Sequence, residues 1–202
     1  MTTRVDAAVH RALDLRQQQA TAEVERILAA AVTVLERVAP DEPRVSDIVA
    51  EAGSSNKAFY RYFTGKDELF QAVMERGVAI VVSYLQHQLA KEATPARRVE
   101  RWIRGTVAQV SDPHLLSMSR AASTQLTAAG VSDGAFPEIL RPLRDLLTDP
   151  VAALGGPDPR RDTDTVFACT LATVRRYLGG TAQPKRADVD HLVAFCLRGL
   201  GV

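Results

Sequence analysis

The chain has 202 residues, 46% hydrophobic and 24% charged, a length for one compact domain or a small one joined to a larger one. Its formal net charge of +1 excludes reading a nucleic-acid partner from global charge. Two cysteines, Cys169 and Cys196, form neither a disulfide framework nor a metal-ligand pattern, and no run is long and apolar enough to span a membrane.

Alanine and leucine are abundant and alternating β-branched runs are rare, so the expected fold is all-α. Residues 1–20 read as a polar leader with no apolar signal core, and a cytoplasmic protein is expected. Val5, Val9, Ala12 and Leu13 fall at helical spacing there, which suits a helix packed on its neighbours, an arm near DNA or a loose terminus. Thr21 reads as the cap of a helix with Val24, Ile27, Leu28, Ala31, Val34, Leu35 and Val38 on one stripe, closed by Pro40 and Pro43. A second helix follows over 46–52 and a third over 55–62. Lys66 opens a longer one carrying Leu69, Val73, Ile80 and Leu85, with Gly77 permitting a bend.

Pro95 starts a helix with Val99, Trp102, Ile103, Thr106 and Val110 on one side. Arg97, Arg101 and Arg104 lie opposite, as a solvated face or, alternatively, an acidic-effector site. Asp112-Pro113 restarts the chain, and Leu115, Leu116, Met118 and Leu126 continue a helical pattern. A loop is expected over 130–137, a helix over 138–147, a linker loop over 149–162, and closing helices over 163–178 and 187–199.

The informative stretch runs from Arg44 to Phe63: helix, glycine turn, helix, the pattern of a helix-turn-helix whose second helix enters a DNA major groove. Ile48, Ala52, Phe59 and Phe63 sit at i,i+4 spacing and can close a small core. Gly53 supplies the positive φ a tight turn needs, and Ser55 can cap the third helix or donate to a phosphate. With Phe59 inward, Lys57 and Arg61 point outward. Asn56 and Lys57 can bond base edges, Ala58 can touch a thymine methyl, and the Tyr60 and Tyr62 hydroxyls can reach phosphates. Lys66 stands at a helix start that favours an anion. From Gly53 to Lys66 there are three cations and no acid.

Residues from about Glu25 through Met74 resemble the TetR family of bacterial regulators. The likeness is carried by Arg26-Ile27-Leu28-Ala29-Ala30-Ala31, Asp47-Ile48, Glu51-Ala52-Gly53, Tyr60-Arg61-Tyr62-Phe63 and Lys66 followed by Glu68-Leu69-Phe70. The resemblance implies phosphate contacts by Tyr60 and Lys66 and further contacts by Arg44 and Ser46. It departs from the family where Ser54-Ser55 replaces a Val-Ser opening, and at Lys57 and Ala58, positions where bases would be read.

The resemblance also implies a three-helix DNA-binding domain over 21–68 and a helical effector-binding and dimerisation domain over 69–202. The last two helices would pair with a second copy, through faces carrying Val166, Phe167, Val174, Leu178, Val189 and Leu192. Tyr84, His87, Trp102, His114, Met118, Phe136 and Phe167 are candidate pocket residues, or core. The expected function is a DNA-binding transcription regulator, a repressor released from a palindromic operator by a small-molecule effector, with no cofactor or metal. The alternative is a small-molecule binding protein that keeps the helix-turn-helix as scaffold. No nucleophile elbow, His-Glu-x-x-His, P-loop or dinucleotide fingerprint is present, so no enzyme is expected.

Overall fold

The computed structural model describes residues 3–38, 41–110, 138–178 and 183–202. All regular structure among them is helical, and the fold is all-α with an N-terminal helix-turn-helix and a helical C-terminal region. The chain divides into two compact units, Met1–Val73 and Met74–Val202. The boundary falls inside a helix. The expectations for 112–137 lie outside the described residues.

The N-terminal unit begins with α1, Arg4–Val38. Its start differs from the expected cap at Thr21, which sits in mid-helix. The cap is Thr3 instead: its backbone N–H donates to the Asp6 carboxylate at 2.9 Å, and the Asp6 N–H donates to Thr3 Oγ1 at 3.1 Å. Such reciprocal capping satisfies two donors that a helix start would leave open. Val5, Val9 and Leu13 stay exposed on this first stretch, while Ile27, Leu28, Ala31 and Val34 are buried further along.

Helices α2 (Val45–Glu51) and α3 (Asn56–Tyr62) follow, each of seven residues. Gly53 between them has φ +57°, and Ser55 Oγ accepts from the Ala58 N–H at 3.1 Å. Helix α4 (Lys66–Leu89) contributes Leu69, Phe70 and Val73 to the same core, which closes around Ile48, Phe59 and Phe63.

In the C-terminal unit, α5 (Pro95–Ala108) starts behind the Thr94 cap and buries Val99, Trp102, Ile103, Thr106 and Val107. The single helix expected over 138–147 is broken. A 3-10 turn, Glu138–Leu140, leads into α6 (Arg141–Asp145), and α7 (Thr148–Ala152) occupies part of the expected linker. Pro142 and Pro150 each remove a backbone donor, so the segment restarts at each rather than continuing. Leu143, Leu147 and Val151 keep a buried stripe through the breaks. Helices α8 (Pro159–Leu178) and α9 (Arg186–Gly199) complete the unit. Its core joins Leu85, Trp102, Phe167 and Val193 in one apolar cluster.

Candidate nucleic-acid interface

Helix α3 is two-faced. Ala58, Phe59 and the C-cap Phe63 are buried, with the Phe59 and Phe63 ring centroids 5.7 Å apart. Asn56, Lys57, Tyr60 and Arg61 are exposed, and at 100° per residue they fall within one arc of the opposite side. Arg44, Ser46 and Ser55 are also exposed, ahead of or at the starts of the two helices. The cations of α3 therefore stand on the surface that the core leaves free.

Two expected contact residues are placed otherwise. Ala58 is 5% exposed, so its methyl group belongs to the core and not to the outer face. Tyr62 is half-buried, and its hydroxyl donates to Glu23 Oε2 at 2.8 Å, so it ties α3 to α1. Periodicity explains both: 58 and 62 are one turn apart on the inner side. Tyr60, by contrast, is 60% exposed, and its ring meets the edge of Phe59 at 5.1 Å.

Lys66 sits at the first position of α4 and pairs with the Glu42 carboxylate. That hydrogen bond holds its ammonium above the ordinary lysine value, so it remains a cation throughout the neutral range. An arriving phosphate must displace Glu42 or share the lysine with it. Nearby, the Thr64 hydroxyl and N–H donate to Glu68 Oε2 at 2.7 and 2.6 Å and hold that carboxyl below its usual value. The turn entering α4 is thus fixed by its own acid.

Glu23 was invisible to the motif. It lies on α1, outside the helix-turn-helix, yet Ser54, Arg61 and Tyr62 all converge on it. The available signal was its position four residues before Ile27, on the inward edge of the α1 stripe.

The pocket candidates separate. Tyr84 and His87 are exposed on α4. Trp102 and Phe167 are fully buried and adjacent, their ring centroids 5.9 Å apart. The Trp102 indole N–H donates to the Leu143 carbonyl at 3.0 Å, so its one polar atom is satisfied. His114, Met118 and Phe136 lie outside the described residues. Sequence reasoning overlooked the Thr163 hydroxyl and gave Thr106 only a packing role. Both are buried without a hydrogen-bond partner among the described residues, whereas Thr170 donates back to Val166. The arginine stripe of α5 is paired within the chain: Arg97 and Arg104 with Glu100, Arg101 with Glu92, and Arg104 also with Asp190.

Residues 27–73 match the family model described as bacterial regulatory proteins, tetR family. YvdT of Bacillus subtilis (strain 168), an uncharacterized HTH-type transcriptional regulator, is 38% identical over 58 residues, 29% of this chain and 30% of that protein. The aligned part is thus under a third of that relative. Among solved structures, the fatty acid degradation regulator FadR from Bacillus halodurans superposes with a TM-score of 0.66 at 17% identity, covering 88% of this chain and 94% of that one. FadR from Bacillus subtilis, solved in complex with stearoyl-CoA, gives a TM-score of 0.58 at 17% identity over 87% of this chain and 96% of that one. At such identities these two likenesses speak for the fold alone.

Proposed function

The chain belongs to the TetR family of bacterial regulatory proteins, and from that premise we propose that it is a transcriptional repressor released from a palindromic operator by a small molecule. The observation that carries the reading is the outer face of α3, where Asn56, Lys57, Tyr60 and Arg61 stand exposed over a buried inner face. Asn56 and Lys57 bond base edges. Arg44, Ser46, Ser55, Tyr60 and Lys66 hold the flanking phosphates. Two copies pair through α8 and α9, whose Val174, Leu178, Val189 and Leu197 are only partly buried and whose Phe195 is exposed. A two-fold pair places two copies of α3 one helical turn of DNA apart, about 34–36 Å.

The effector reading is supported by the Thr106 and Thr163 hydroxyls, which have no partner among the described residues of a largely apolar core. A buried hydroxyl without a partner costs roughly 1–3 kcal/mol, which a bound molecule's polar group can offset. No ionisable side chain other than Cys196 and Tyr177 is buried among the described core residues, so an apolar or amphipathic effector fits best. Such a molecule shifts DNA binding only by its differential affinity for the two forms, and about 5.5 kcal/mol drives a full switch.

The test is fluorescence anisotropy on a labelled duplex from around the chain's own gene, across a salt series, with scrambled duplex as competitor. Binding that survives the competitor and weakens steeply with salt is the expected result. Binding equal to that of scrambled DNA, here and on duplexes selected from random sequence, would favour a small-molecule binding protein that keeps the helix-turn-helix as scaffold.

A further inference from the structure

We propose that Glu23 of α1 is a positioning residue that sets the angle at which α3 meets DNA and restrains the charge of Arg61. The proposal rests on the assignment of α3 as the DNA-reading helix.

Helix α3 has seven residues, about 10 Å of helix, and its inner contacts through Ala58, Phe59 and Phe63 are apolar. Apolar burial is non-directional, so it fixes the depth of α3 better than its rotation. Hydrogen bonds to a carboxylate are directional and stronger than neutral ones. One carboxylate supplies them at both ends of α3. Glu23 Oε1 accepts a long, weak hydrogen bond from Ser54 Oγ at 3.4 Å, just ahead of the N-cap, so the Tyr62 bond carries most of the restraint. Glu23 Oε2 accepts from the Tyr62 hydroxyl at 2.8 Å, at the last helical residue. Asn56, Lys57 and Tyr60 are rigidly coupled to that rotation because they share the helix.

The same oxygen lies 3.7 Å from the Arg61 guanidinium, which also sits over the Tyr62 ring at 5.6 Å. Arg61 is thereby drawn back toward the protein before any DNA arrives. The Glu23 side chain is 23% exposed, so water screens this pair only in part. Glu23 thus lowers the sequence-independent attraction of the face while orienting the residues that read sequence.

The experiment compares the unaltered chain, Glu23→Gln, Glu23→Ala and Glu23→Gln with Arg61→Ala. Each is titrated with the duplex the unaltered chain selects from random DNA and with scrambled duplex, across a salt series. Glu23→Gln keeps an acceptor oxygen for Tyr62 and removes the charge. It is expected to keep the preferred sequence, bind scrambled duplex more tightly, and steepen the salt slope by about 0.9 per protomer. Adding Arg61→Ala returns the slope to the original value. Glu23→Ala loses the orientation as well, and its ratio of selected to scrambled affinity falls about tenfold. A merely structural role would lower both affinities together and leave the slope alone. An unmoved slope in Glu23→Gln, or a steeper slope that persists without Arg61, would overturn the proposal while leaving the DNA-reading assignment intact. Failure of the unaltered chain to prefer any duplex would overturn both.

Discussion

Three ion pairs described in the N-terminal unit run between segments, whereas much of the pairing described in the C-terminal unit runs along or beside α5. Arg37 joins α1 to Glu51 of α2, Arg61 joins α3 to Glu23 of α1, and Lys66 joins α4 to Glu42. In the C-terminal unit Glu100 serves Arg97 and Arg104 within α5, and only Arg104–Asp190 and Arg144–Asp164 among these reach another helix. The reason is size. The first core is small, and two of its helices have seven residues each, so polar ties must help to orient them. The second core is a continuous apolar cluster that orients its helices by packing, and its charges remain at the rim.

Truncating the largest side chains tests that contrast most severely. Phe59→Ala is expected to destabilise the N-terminal unit by about 3–5 kcal/mol and to abolish DNA binding. Trp102 is the chain's single tryptophan, so its emission reports on the other core and is expected to keep its buried character in that variant. Trp102→Phe strands the Leu143 carbonyl and costs about 1–3 kcal/mol in denaturant unfolding. Loss of the tryptophan signal in Phe59→Ala would show that the two cores are one cooperative body.

Glycines give the next contrast. A Cβ at Gly105 would lie 2.4 Å from Leu85 Cδ2, and Leu85 is fully buried, so Gly105→Ala is expected to cost about 1–3 kcal/mol through overpacking. A Cβ at Gly53 meets nothing, but its φ of +57° is strained for alanine, about 1–2 kcal/mol. The ranking reverses if the N-terminal turn is the more rigid of the two.

Tyr60→Phe and Lys66→Ala are expected to weaken binding alike on every duplex, with Lys66→Ala lowering the salt slope by about one. Sequence-dependent loss in either would place that residue at the bases. Acid gives the smallest effect. Hydrogen bonding from Arg104 foremost, and from Arg97, holds the Glu100 carboxyl below its usual value despite partial burial. Its stabilisation is therefore present above the ordinary carboxylate value and lost as pH falls through the lowered one. Glu100→Gln is expected to flatten the acid limb of a thermal-stability profile, and an unchanged limb would remove Glu100 from the account.

The helix-turn-helix was legible because its residues do one job each. Gly53 has to turn, Ser55 has to cap, Phe59 has to be buried, and Lys57 and Arg61 then have to be outside. Ala58 was misread because a small residue fits either face, and only the 100° step against Tyr62 settles it. The start of α1 was misplaced at Thr21 although Thr3-x-x-Asp6 carries the capping pattern, because a polar stretch gave no apolar stripe to follow. In the C-terminal unit the single helix expected over 138–147 missed the breaks, which Pro142 and Pro150 impose. Its interior was the least legible. A tryptophan in a core and one in a pocket share the same sequence signal, and an orphaned threonine hydroxyl shows only once its neighbours are in place. Cys196 lies buried in that interior, and burial pushes its thiol up to about 11.

The central claim is that the outer face of α3 reads base sequence. The most direct measurement is selection from random duplexes by the unaltered chain and by Lys57→Ala, with the enriched sites read side by side. One enriched palindromic site is expected for the unaltered chain, and a changed preference at a defined position of each half-site for Lys57→Ala. The same enriched sequence from both proteins would contradict the assignment of Lys57 to a base and, with it, the reading of this face.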